Sequence, residues 1–170
     1  MSKIIAIASL RGGVGKTTTT MHLATALAEM GKKVLAVDFD SQKNLADLYE
    51  EKMREFDFAS SDLFSSKMAE KYDYVLIDTE PGLGASTLEA LTMADEVLIP
   101  VVPKMWDISG VQDYEAIVSK IKEERNPKLK IAGLLLTMCE GEVSVPCDLP
   151  IFQTGIPNAY KELAKELETC

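Results

Sequence analysis

An α/β fold, with a mostly parallel twisted sheet covered by helices on both faces, is what the 170-residue chain predicts. Three observations carry it. Lys3 to Ser9, Val34 to Val37, Tyr74 to Ile77 and Ile131 to Leu136 are apolar almost throughout, the pattern of strands buried on both faces. Segments with apolar residues at helical spacing separate them, so strand and helix alternate, and right-handed crossovers lay helices on both sides of the sheet. A glycine-rich turn, Gly12, Gly13 and Gly15, joins the first strand to the first helix. Sheets of this kind receive ligands at the carboxyl ends of their strands.

The elements follow in order. The first strand is KIIAIAS, from Lys3 to Ser9. The first helix opens at Lys16, sets Leu23, Leu27 and Met30 at helical spacing beside Ala24 and Ala28, and is ended by Gly31. Val34 to Val37 is the second strand and Glu55 to Phe58 a short third. Tyr74 to Ile77 closes on Asp78, and Val97 to Val102, which contains Pro100, and Ile131 to Leu136 complete the set. Helices are expected between them at about 42–54, 60–71, 85–94 and 108–125. After Thr137 the pattern fades. Cys139 to Phe152 contains Gly141, Pro146 and Pro150 and reads as loop, whereas Asn158 to Leu167 places Tyr160, Leu163, Ala164 and Leu167 on one helix face, expected to pack on the sheet.

With 46% hydrophobic and 26% charged residues, the chain has the composition of a globular protein and the length of one domain, spanning 1–170. No apolar run approaches the ~20 residues that cross a bilayer. The N-terminus has too short an apolar part, and no small-residue cleavage site, for a secretory leader, so a cytoplasmic protein is expected. Cys139, Cys147 and Cys170 are odd in number and lack metal-ligand spacing, which fits a reducing compartment. A net charge of -9 opposes wholesale binding to nucleic acid or to an anionic membrane. Lys120, Lys122, Arg125, Lys128 and Lys130, against Glu123 and Glu124, make a local basic patch; a helix end whose cations complement the helix dipole is the preferred reading of it. The last helix sets Glu162, Glu166 and Glu168 against Lys161 and Lys165, unlike the basic polar face of a membrane-surface helix.

The chemistry concentrates at the glycine turn. Without Cβ atoms in the way, consecutive backbone N–H groups of Gly12, Gly13, Val14 and Gly15 can turn toward one phosphate chain, and the helix N-terminus at Lys16, Thr17 and Thr18 adds its free donors and partial positive charge. Lys16 would reach the β- and γ-phosphates of a nucleotide, and the Thr17 hydroxyl would ligate Mg²⁺, as in P-loop NTPases. The strict G-x-x-x-x-G-K-[ST] pattern is not met, because its first glycine falls at Leu10. Asp78 ends an apolar strand, where a carboxylate can hold Mg²⁺ through water. Asp38 and Asp40 end another, two residues apart and so on the same side of an extended strand. Any one of these aspartates alone reads as a turn former or helix cap. Three at two strand ends beside a phosphate loop read as a site.

RGGVGKTTTT resembles the deviant phosphate loop KGGVGKTT of the ParA/MinD family of dimeric ATPases. VLAVDFDSQKNL resembles that family's switch I, YDYVLIDTEPGLG its Walker B and switch II segment, and VLIPVVPKMWDISGV the stretch that follows in plasmid-partition ATPases, particularly the short ParF-type members. The likeness runs from Lys3 to about Met138. It implies a slow ATPase with ATP and Mg²⁺ as cofactors, a nucleotide-dependent homodimer, DNA segregation as the output and a small centromere-binding, ParB/ParG-like partner. It also implies that Asp38 assists the metal's water and that Asp40 orients the attacking water. The family's signature lysine, which reaches the partner's nucleotide, falls at Arg11, a cation with a planar fork that would act in trans. Ser41 and Glu80 stand where the family usually has prolines. The family's residues beyond the position of Met138 carry base contacts and DNA-binding cations, and this chain is shortened there, so DNA binding is expected to be weak or confined to the dimer. Two alternatives are a MinD-type membrane-positioning ATPase, against which the acidic last helix counts, and a small ATP-dependent ligase of the dethiobiotin synthetase type.

Overall fold

The computed structural model describes residues 2–52, 55–103, 108–139, 148–155 and 158–169. Its strands are β1 (Lys3–Ile7), β2 (Val34–Asp38), β3 (Asp57–Ser60), β4 (Tyr74–Asp78), β5 (Glu96–Val101), β6 (Lys130–Leu136) and β7 (Ile151–Gln153). Its helices are α1 (Lys16–Glu29), α2 (Asn44–Lys52), α3 (Ser66–Ala69), α4 (Ala85–Met93), α5 (Ile108–Glu124) and α6 (Ala159–Thr169). The strands join in one sheet in the order β3-β2-β4-β1-β5-β6-β7, and every neighbouring pair is parallel. All carboxyl ends therefore lie along one edge.

Alternation along each strand sorts the core onto two faces. Ile5 and Ile7 of β1, with Val34 and Ala36 of β2, pack against Leu23, Ala24 and Leu27 of α1, Leu45 of α2 and Leu163, Ala164 and Leu167 of α6. On the other face Ala6, Val97 and Leu134 meet Leu91 of α4 and Tyr114, Val118 and Ile121 of α5. Leu35, Val37, Val75 and Ile77 meet Ala69 of α3 and Ala90 of α4. Leu23 and Leu27 are fully buried, each contributing roughly 1.5–3 kcal/mol, and they fix α1, whose first turn faces the site.

Several expectations need correction. In place of one helix over 60–71 there is a 3-10 turn, Ser61–Leu63, then extended backbone at Phe64 and Ser65, then the short α3. Ser65 breaks the run because its hydroxyl accepts from Met68 N at 3.3 Å and so caps a new helix. The third strand lies two residues later than Glu55 to Phe58, at Asp57–Ser60. The tail through Phe152 is not all loop, since Ile151–Gln153 pairs with Leu134 to Leu136. The last helix packs its Leu163, Ala164 and Leu167 against the sheet as expected, and it also lies beside α1, tied by Lys161 to Glu29 at 2.7 Å and by the stacked rings of Tyr160 and His22. Residues 53 and 54 of the expected second helix, residues 104–107 of the segment after β5, and Cys147 and Cys170 lie outside the described residues.

Candidate functional site

β2, β4 and β1 are neighbours, and their register sets Asp38 opposite Asp78 and Asp78 opposite Ile7. The chain leaves β1 at that level, turns through residues 8–15 and enters α1. The turn needs its glycines: Gly13 has φ +70° and Gly15 has φ +87°, left-handed values at which a side chain is strained. Gly15 is the N-cap of α1 and offers no side chain to the helix's first N–H groups, which leaves them for a ligand. Beside them is a cavity of about 320 Å³ whose lining includes Gly13, Gly15, Lys16, Thr17, Thr18 and Asp40.

Lys16 is buried, and its ammonium donates to the carbonyl oxygen of Arg11 at 3.3 Å. Burial pulls its pKa below the usual lysine value, against the opposing fields of Asp78 and Asp40. Asp78 is fully buried, and neither carboxylate oxygen has a hydrogen-bond partner. The Thr17 hydroxyl lies beside it and favours its charged form without closing a bond of normal geometry. Burial outweighs that hydroxyl and Lys16 and pushes the Asp78 carboxyl up to about 7. A buried carboxylate with free lone pairs, next to a threonine hydroxyl at a helix N-terminus, suits a small hard cation. Mg²⁺ is held by one or two protein oxygens with water and phosphate, which Thr17 and Asp78 could supply.

The other carboxylates are engaged. Asp38 accepts from Asp40 N at 2.9 Å and from Ala46 N at 3.1 Å, so it joins the end of β2 to the start of α2. Burial raises its pKa, and those backbone bonds oppose the rise. Asp40 accepts from Gln42 N at 2.9 Å and from Asn44 Nδ2 at 3.2 Å, which closes the turn from β2 into α2 and fixes the carboxylate at the cavity wall. Arg11 is exposed, and its guanidinium makes none of the ion pairs found among the described residues. Gly12 lies against Pro81, and Gly82 N donates to Ser9 O at 3.1 Å, so the segment after β4 rests on the loop after β1.

The structure thus lines one cavity with Lys16, Thr17 and Asp40, buries Asp78 beside Thr17 and Lys16, places Asp38 on an adjoining cavity that Asp40 also lines, and leaves Arg11 exposed. Sequence reasoning missed Thr79 and Thr137. Thr79 Oγ1 donates to Ile7 O at 3.0 Å and ties β4 to β1; Thr137 Oγ1 donates to Val14 O at 2.8 Å. Both directly follow apolar strands at the sheet's carboxyl edge, and that position was the signal available.

Comparison with known proteins gives the family and the fold. Residues 5–146 match the family described as CobQ/CobB/MinD/ParA nucleotide binding domain. The chain is 32% identical to the chromosome-partitioning ATPase Soj of Thermus thermophilus, over 81% of this chain and 70% of that protein. Among solved structures it is similar to one titled cobyrinic acid a,c-diamide synthase from Mycobacterium smegmatis with bound ADP and magnesium. The TM-score there is 0.84 at 25% identity, covering 99% of this chain and 94% of the other. A plasmid partition protein from Borrelia burgdorferi shares the fold, with TM-score 0.76 at 23% identity over 99% of each chain.

Proposed function

The chain belongs to the CobQ/CobB/MinD/ParA nucleotide-binding domain family, and from that premise we propose an ATP-driven switch for DNA partition or cargo positioning. ATP and Mg²⁺ close two copies into a dimer, slow hydrolysis opens it, and a small centromere-binding partner loads the cargo. The observation that carries the reading is the buried, unbonded Asp78 carboxylate, in register with Asp38 and beside the Gly15 to Thr18 helix start. The relative named Soj, a chromosome-partitioning ATPase, supports the cargo class.

Each residue has a part. The Gly12 to Gly15 backbone and the first N–H groups of α1 bind the phosphates, and Lys16 exchanges the Arg11 carbonyl for β- and γ-phosphate oxygens. Thr17 and Asp78 would hold Mg²⁺, which would supply positive charge against the nucleotide's phosphates. Asp38 holds the following turn in place, and its remaining lone pairs would be free to assist at the metal. Asp40, fixed by Gln42 N and Asn44, orients the attacking water and receives its proton. Arg11 is outward and reaches the partner copy's nucleotide.

Light scattering tests this. The chain should be monomeric alone or with ADP and dimeric with ATP and Mg²⁺, whereas Lys16→Ala should stay monomeric, bind no nucleotide and keep the wild-type circular dichroism. A wild-type chain that remains monomeric at saturating ATP would sink the switch. A second reading, an ATP-dependent amide-forming enzyme, is favoured by a second cavity of about 340 Å³ that Asp40 also lines, with Phe39, Phe58, Ser60 and Ser86. It has room for a second substrate. That reading requires phosphate release that depends on an added carboxylic acid.

A further inference from the structure

Thr137, buried just beyond the end of β6, has its hydroxyl oxygen 2.8 Å from Val14 O and 3.3 Å from Val101 O. A hydroxyl has one proton to give. Val101 O already accepts from Thr137 N at 2.8 Å, so the hydroxyl proton goes to Val14 O. The Val14–Gly15 peptide is trans, and a trans peptide points its C=O and N–H in opposite directions. Holding the Val14 carbonyl toward Thr137 therefore turns the Gly15 N–H the other way, and Gly15 lines the cavity beside the helix start.

The peptide needs such a hold. It is flanked by Gly15, which has no Cβ to restrict it, and it follows Gly13, so little within the loop stops it from turning over. Turned over, it would aim a carbonyl oxygen at the phosphates in place of an N–H, exchanging attraction for repulsion. From this geometry we infer that Thr137 is a positioning residue of the phosphate site: its hydroxyl sets the Val14–Gly15 peptide so that the Gly15 N–H faces the bound diphosphate. The inference rests on the nucleotide site proposed above. The Thr137 methyl adds a wall, since its Cγ2 lies 3.7 Å from where a Cβ on Gly15 would sit.

Thr137→Val keeps the shape and removes the proton, and Thr137→Ser keeps the proton and removes the methyl. Calorimetry with ATP and with ADP, each with Mg²⁺, should show Thr137→Val weakened about 10- to 100-fold for both nucleotides, the effect of losing one hydrogen bond to a charged group. Thr137→Ser should stay within about threefold of wild type. A serine variant as impaired as the valine variant, or a valine variant that binds like wild type, overturns the inference. Should Thr137→Val fail to fold, the wild type still decides: the Gly15 amide proton resonance must move downfield when ADP and Mg²⁺ are added, and a stationary resonance overturns the assignment. Lys16→Ala separates the two failures. Nucleotide binding that survives in Lys16→Ala refutes the site itself, whereas binding lost in Lys16→Ala and kept in Thr137→Val refutes only the role of Thr137.

Discussion

A carboxylate whose two oxygens are buried and unbonded costs the free chain stability unless it is protonated or paired, and Asp78 is in that position. Its folded pKa, about 7, lies above the value near 3.9 of an unfolded aspartate, so the folded form binds the extra proton between them. Its contribution to stability is fully present below the unfolded pKa and is lost as pH rises through about 7. Thermal unfolding of the nucleotide-free protein should therefore show a melting temperature that climbs from pH 8 to pH 6. Asp78→Asn should flatten that climb, stabilise the free chain by about 1–3 kcal/mol at pH 8 and lose Mg²⁺-dependent nucleotide binding. Equal melting of the two proteins at pH 8 would show that the carboxylate costs nothing. Asp40 is the opposite case, since Gln42 N and Asn44 already hold its oxygens. Asp40→Asn keeps an acceptor for Gln42 N, so the turn survives, the ATP-loaded dimer forms, and hydrolysis falls about 10²–10⁴-fold. A monomeric variant with ATP would make Asp40 structural, and wild-type turnover would move the role to Asp38. Asp78 was legible in the sequence because it ends an apolar strand, and Asp40 because it follows the end of another by two residues, although the structure places it in the turn beyond β2 and not on the strand. Thr137 was not, because a threonine there is also an ordinary turn residue and its partner Val14 is 123 positions away.

At the scale of elements, the strands that reach the core on both faces were readable as continuous apolar runs. β7 was not, because three residues, Ile151–Gln153, between Pro150 and Thr154 give no periodicity to read. What secures it is Gly133 in β6, at φ +155°, where an added Cβ would lie 2.5 Å from Pro150 O and 2.7 Å from the Phe152 ring. The same stretch carries a register shift against β5, between Val97 and Leu98, which marks a bulge. Gly133→Ala should cost roughly 2–4 kcal/mol, from backbone strain together with a displaced β7. Chemical denaturation reads it: an alanine variant within about 0.5 kcal/mol of wild type would mean that β7 moves aside freely. The break at Ser65 escaped for a related reason. Apolar spacing over 60–71 suits a helix, and only the capping bond to Met68 N reveals that the helix restarts.

For the whole molecule, the parallel sheet separates two charge environments. The site occupies the carboxyl edge, whereas Lys120, Lys122, Arg125, Lys128 and Lys130 cluster where α5 ends and β6 begins, at the amino edge. All five are exposed, and among the described residues Lys120 pairs with Glu124, at 3.9 Å. An exposed pair of that kind contributes little and leaves the cation available. Dimerisation through the nucleotide edge would leave one patch at each outer end, so a single duplex long enough to touch both would gain avidity that one copy lacks. Against this stands the net charge of -9 on each chain, which repels DNA over a Debye length of about 8 Å at physiological salt. The balance predicts no retardation of DNA by the nucleotide-free monomer at ~0.15 M salt and weak, steeply salt-dependent retardation by the ATP dimer. Lys120→Glu combined with Lys122→Glu should abolish the retardation without affecting dimerisation, because neither residue is near the site. Tight binding by the monomer would refute the electrostatic argument, and an ATP dimer that binds equally well with both lysines reversed would place the DNA contact elsewhere on the chain.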